Sequence, residues 1–261
     1  MRMKKAVVRW VLVGTAAAGA CTQLPIESNV ASQAFLRSDM PNAQTSDTAG
    51  YETRAPRDPS GIGRYYLGRQ IAHVMGHEGA DWLERSDRRE EEGTDVLLKE
   101  LQLKPTDVVA DLGAGTGFFS FRMATLVPKG QVLAEDIQPE MIAELNQRKT
   151  KNKLTNVKPI LGTTTDPHLP ASSVDLVLLV DAYHEFDHPR EMGRAIRNAL
   201  RPHTGRLALV EYRAEDPKVP IKPIHKMTVA QAKKEMSAIG LELVEVRESL
   251  PQQHLMLFRR P

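Results

Sequence analysis

The run Val108-Val109-Ala110-Asp111-Leu112-Gly113-Ala114-Gly115-Thr116-Gly117-Phe118-Phe119 is apolar, then acidic, then glycine at every second position, then apolar again. It reads as strand, tight turn and helix. Residues 108–112 suit a strand buried on both faces of a parallel sheet, and Gly113, Gly115 and Gly117 let the backbone turn sharply while a ligand approaches its N–H groups. A turn of this kind at a helix N-terminus forms a ligand cradle. Glycine spacing narrows the ligand. A dinucleotide-binding fold wants G-x-G-x-x-G and a P-loop ends in Gly-Lys-Ser/Thr, and this chain has neither.

The spacing Asp111-x-Gly113-x-Gly115-x-Gly117 instead resembles motif I of the class I S-adenosylmethionine (SAM) dependent methyltransferases, and the resemblance runs from about Lys104 to the C-terminus. It implies a doubly wound α/β fold with a seven-stranded Rossmann-like sheet in the order 3-2-1-4-5-7-6, its last strand antiparallel, under a helical N-terminal cap. SAM is then the cofactor, with Asp111, Gly113, Gly115 and Gly117 at the first turn. A second acid is expected about 20 residues on, at the end of the next strand, to take both ribose hydroxyls. Glu135 and Asp136 compete there. The family pattern sets the acid directly before an apolar residue that packs on adenine, which selects Asp136 with Ile137 and leaves Glu135 as a solvated neighbour. In the adenine loop the family's usual acid is replaced, and Thr163 is taken as the contact, with Asp166 next.

The run 173–181 is apolar on both faces and reads as the central fourth strand. Ligands in open α/β sheets lie at the carboxyl ends of strands, so Asp181 joins the cofactor set and Tyr183, His184 and Glu185 form the expected catalytic group. Histidine suits proton removal near neutral pH, which makes His184 the expected base or acceptor contact, with Glu185 orienting it and Tyr183 shaping the site. Glu211 ends the fifth strand beside it, and 218–226 reads as a substrate-covering loop carrying Lys222 and His225. Asp87 and Glu90 are read as a capping box opening a helix toward Leu101. Tyr66, Gln70, His73 and His77 fall at helical spacing; His73 and His77 have the i, i+4 spacing of a metal pair, but the family implies no metal, and they are read as part of the cap.

In 261 residues, 35 basic and 33 acidic side chains leave a formal charge of +2, with no basic run that would mark a nucleic-acid partner. One cysteine excludes a disulfide framework and a thiolate metal site. Arg2, Lys4, Lys5 and Arg9 precede an uncharged run ending in Ala18-Gly19-Ala20 before Cys21, which reads as a signal peptide over 1–20 with Cys21 as a lipidated first mature residue. Residues 21–60 are polar and read as a disordered tether, 61–103 as the helical cap, and 104–261 as the methyltransferase domain. The expected location is periplasmic or anchored to a membrane through Cys21; a cytoplasmic enzyme with an uncleaved tail is the alternative. Methyl transfer from SAM to a small-molecule acceptor is the expected function. A SAM-binding sensor or scaffold without turnover is the rival, and aminopropyl transfer from a decarboxylated analogue lacks the acidic cluster a polyamine would need.

Overall fold

The structure is a computed structural model that describes residues 45–47 and 49–261, so the expected signal peptide, Cys21 and the first part of the tether lie outside the described residues. The described chain opens with four short antiparallel strands, β1 (Thr45–Ser46), β2 (Tyr51–Thr53), β3 (Gly61–Tyr66) and β4 (Arg69–Ala72), adjacent in that order. This corrects two expectations: part of the expected tether is sheet, and the cap begins with strands. The cause is a two-residue hairpin at Leu67 (φ 48°) and Gly68 (φ 95°), both in the left-handed region that such turns require. The aromatic pair Tyr65 and Tyr66 is buried in strand geometry, and His73 and His77 do not share a helix.

Helical turns follow at α1 (Ala80–Leu83) and α2 (Arg88–Glu91), then helix α3 (Thr94–Glu100). The continuous helix expected from Asp87 is broken at Gly93, whose φ of 64° stops α2 from running into α3, and Asp87 makes no capping bond.

The main sheet begins with β5 (Val108–Leu112), then α4 (Phe118–Leu126), β6 (Gln131–Asp136), α5 (Pro139–Lys151), β7 (Val157–Leu161), β8 (Leu176–Val180), α6 (Pro189–Ala199) and β9 (Arg206–Arg213). A two-residue strand β10 (Lys226–Met227), helix α7 (Val229–Ala238) and strands β11 (Glu242–Arg247) and β12 (Gln253–Arg259) complete it. The order across the sheet is β11-β12-β9-β8-β5-β6-β7, with β12 antiparallel to β9 and to β11, and β10 adding a short parallel pairing to the end of β9.

Alternation along the strands builds two cores. Val109, Leu176, Leu178 and Val210 face α3 and α4 through Leu97, Phe119 and Met123, while Ala110, Val177, Leu179 and Leu209 face α6 and α7 through Ile196 and Met236. Burial on both faces fixes the register of β5, β8 and β9, since a one-residue slip would exchange the two cores. The loops at the carboxyl ends of these strands are therefore held rigidly against one another.

The small sheet is braced on α6 and α7. Tyr51 Oη donates to Glu191 Oε2 at 2.5 Å, and the Arg69 guanidinium makes two bonds to the buried Glu235, 2.7 Å from Nε and 2.9 Å from Nη2. Arg69 Nη1 also donates to the His184 carbonyl at 3.1 Å, which ties the cap to the segment after β8.

Candidate active site

The carboxyl ends of β5, β6, β8 and β9 open into a cavity of about 620 Å³, within the ~300–1,000 Å³ range of small-ligand sites. Gly113 (φ 65°) and Gly115 (φ 55°) line it in conformations that side chains rarely adopt. Gly117 does not reach the wall. A Cβ there would sit 2.5 Å from the Phe121 ring and 2.7 Å from Leu145, so this glycine serves close packing at the start of α4. Asp111 also lies behind the wall: it accepts from Ser120 Oγ at 2.5 Å and ties β5 to α4, and burial pushes its carboxyl up to about 6 against that hydrogen bond.

Both acids that end β6 line the cavity. Asp136 accepts from Gly115 N and Gln138 N, each at 2.9 Å, and thus fixes the glycine turn from the adjacent strand; burial raises its pKa against these donors. Glu135 is not the solvated neighbour the sequence suggests, being 2% exposed. Its Oε2 lies 3.4 Å from Gly113 N, its Oε1 has no partner, and burial beside the Asp136 charge pushes it up to about 8. Gly162 leaves room for this carboxyl, since a Cβ there would lie 1.8 Å from Glu135 Oε1 and force the Glu135 side chain to shift. Ile137 and Met141 supply apolar wall next to these acids. Thr163 is absent from the wall because its hydroxyl closes a local turn, accepting from Asp166 N at 2.9 Å; Thr164 lines the cavity instead.

The expected catalytic trio divides. Residues 183–185 form a 3₁₀ turn, which sends successive side chains in directions about 120° apart. Tyr183 therefore leaves the cavity and enters the core, donating to Glu235 Oε2 at 2.9 Å, while His184 and Glu185 line the wall. His184 Nδ1 lies 2.7 Å from Glu211 Oε2, the Glu211 carboxylate also accepts the His184 backbone N–H at 3.2 Å, and His184 Nε2 lies 3.0 Å from His225 Nδ1. Burial works against a charged His184, yet the Glu211 charge and hydrogen bond hold its pKa above the ordinary value. His225 is pushed down by its own burial and by the neighbouring His184 and Lys222 charges. Glu185 Oε2 accepts from Met75 N at 3.1 Å, so the cap also contacts this end of the site.

Asp181 lines the same end with a φ of 49°; one carboxylate oxygen accepts from Gln253 Nε2 at 3.0 Å and the other is buried without a partner. The covering loop contributes Pro220, Ile221, Lys222 and His225 to the wall, as the loop reading expects. Arg88 and Glu92 also line it, joined at 3.0 Å, and the sequence reading passed over them. Their only sequence signal is an i, i+4 Arg–Glu pair in a highly charged stretch, where most such pairs are solvated.

These residues fit SAM. Its ribose hydroxyls would be met by Asp136 and the unpartnered Glu135 oxygen, its adenine by the apolar wall of Ile137 and Met141, and its amine by the unpartnered Asp181 oxygen.

Comparison with known proteins agrees with the fold and places the chain among methyltransferase domains. The family described as "Methyltransferase domain" matches residues 103–254. An uncharacterized methyltransferase-like protein of Schizosaccharomyces pombe is 35% identical over 49% of this chain and 46% of its own length. An uncharacterized methyltransferase of Mycobacterium tuberculosis is 41% identical over 39% of this chain and 38% of its own. The chain thus spans less than half the length of these curated relatives. A crystal structure of a SAM-dependent methyltransferase from Aquifex aeolicus superimposes with a TM-score of 0.67 at 22% identity, covering 72% of this chain and all of that one, which shows the shared fold. On the family match across more than half its length, the chain belongs to the methyltransferase domain family.

Proposed function

We propose that this protein transfers the methyl group of SAM to a small-molecule acceptor that enters the cavity beside His184, Glu185 and His225. One observation carries the reading: a single cavity joins the glycine turn with its two acids to a buried Glu211–His184 pair. When bound, SAM supplies a methyl group already activated as a sulfonium. The chain's task is alignment, which can contribute roughly 7–11 kcal/mol to such a displacement. Gly113, Gly115 and Asp136 hold the cofactor end, and Ile137, Met141 and Phe186 give the cavity an apolar wall beside it.

At the acceptor end Glu211 fixes the His184 ring by its bond to Nδ1, leaving Nε2 toward the cavity side occupied by His225. His184 and Glu185 are the acceptor contacts in this reading. The loop bearing Lys222 and His225 closes over them, with Lys222 Nζ 3.3 Å from Ser60 Oγ of the cap.

The reading extends to location: the basic start, the small residues before Cys21 and the polar segment after it support export and anchoring at Cys21. The test is incubation of purified protein with SAM and fractionated small-molecule extract. Formation of S-adenosylhomocysteine with a methylated product is the expected result; SAM binding by calorimetry with no turnover on any fraction would instead establish the sensor reading.

A further inference from the structure

The geometry points to a binding site for one divalent transition-metal ion formed by His184, Glu185 and His225. One donor atom from each residue lies within 4.8 Å of the other two. The donors come from two 3₁₀ turns, Tyr183–Glu185 and Pro223–His225, that converge on the cavity wall from different parts of the chain. Two imidazole nitrogens bound to one ion by ~2.0–2.1 Å bonds stand about 2.9–3.4 Å apart. His184 Nε2 and His225 Nδ1 stand 3.0 Å apart, and Glu185 Oε1 is 3.8 Å from His184 Nε2, so a small side-chain rotation completes the set.

The surroundings match a metal site beyond the donors themselves. A ligating histidine donates its other N–H to a carboxylate, which fixes ring and tautomer. Glu211 is that carboxylate, fully buried and 2.7 Å from His184 Nδ1. The outer oxygen of Glu185 is likewise held, by Met75 N, which leaves Oε1 directed to the cluster. Among the described residues Glu185, Glu211 and Asp181 form no ion pair with lysine or arginine, so no cationic side chain has to be displaced from their oxygens, although Lys222 lies on the same wall.

Three protein ligands on a cavity wall leave positions open for a ligand, the arrangement of catalytic rather than structural sites. Two imidazoles with one carboxylate suit zinc, cobalt or iron over calcium or magnesium. If the methyl-transfer reading also holds, the ion would take an acceptor oxygen as a further ligand, which selects acceptors bearing a hydroxyl, enol or carboxylate group; the metal site itself does not rest on that reading.

The test uses the full chain stripped with a chelator and titrated with Zn²⁺ by calorimetry and Co²⁺ by visible absorption. One equivalent is expected to bind. His225→Ala and Glu185→Gln should abolish the cobalt bands and lower zinc affinity at least tenfold, and Glu211→Gln should lower it about 10–100-fold by releasing the ring. His73→Ala and His77→Ala should bind zinc as wild type does. SAM titration and thermal melting of each variant show whether its fold and cofactor site persist, so failure of the metal site and failure of the methyl-transfer reading are read separately. Zinc binding that is absent in wild type, or equal in wild type, His225→Ala and Glu185→Gln, would overturn the inference.

Discussion

Neutralising each of the two acids that end β6 should separate their roles. Asp136 bonds Gly115 N and Gln138 N and lines the cavity, so Asp136→Asn weakens the hold on the glycine turn and, in the proposed cofactor pose, removes the ribose acceptor. A hydrogen bond to a charged group contributes ~1.5–3 kcal/mol, which corresponds to a loss of about 10–150-fold in SAM affinity by calorimetry. Glu135 is held in a different state. Burial raises it from 4.5 to about 8, so near neutral pH the folded chain keeps a proton that the unfolded chain releases. Below pH 4.5 both states are protonated and the group contributes no slope; between pH 4.5 and 8 folded stability falls as pH rises, and above 8 the fall ends. At ~1.36 kcal/mol per pKa unit the cost is on the order of several kcal/mol at the alkaline end. Glu135→Gln should therefore flatten the melting temperature of the ligand-free protein between pH 5 and 8.5 while changing SAM affinity much less than Asp136→Asn. An unchanged pH slope in Glu135→Gln, or a larger loss of SAM binding there than at Asp136, would refute this division of labour.

Arg69→Ala leaves Glu235 buried without its cation, and the expected loss is ~3–5 kcal/mol in denaturant unfolding, with loosening of the small sheet seen as faster amide exchange in 61–72. Tyr183→Phe removes the 2.9 Å bond to Glu235 on the core side, so it should cost about 1–3 kcal/mol in stability while SAM affinity measured by calorimetry stays within about twofold. Ser120→Ala releases Asp111 from its 2.5 Å bond; unfolding titrations should show a loss of ~1–3 kcal/mol at pH 8, where the carboxylate is charged, and a smaller one at pH 5, where it is protonated. Cell fractionation should find the wild type with membranes and Cys21→Ser in the soluble periplasm, and an intact N-terminus on cytosolic wild-type protein would remove the anchor.

The sequence by itself determined the main sheet. Strands buried on both faces must be continuously apolar, and a D-x-G-x-G-x-G turn leaves few alternatives to a ligand-binding strand-to-helix junction, so β5, β6, β8 and the end of β8 were legible from residue order. The cap was not. Tyr65, Tyr66 and Ile71 fit a helical as well as an extended pattern over so short a span, and the deciding feature, two left-handed residues at Leu67 and Gly68, is favoured only once four strands can brace one another and dock on Glu191 and Glu235. The site shows the same division. Which residues crowd the end of the fourth strand was readable, but the 3₁₀ turn that sends Tyr183 into the core and His184 to the wall depends on local backbone torsions that a strand pattern does not encode. The burial of Glu135 against Gly113 and Gly162, and the meeting of His184 with Glu211 and His225, join residues 22 to 41 positions apart. Such contacts are fixed by strand order and loop closure, and therefore by the tertiary structure alone.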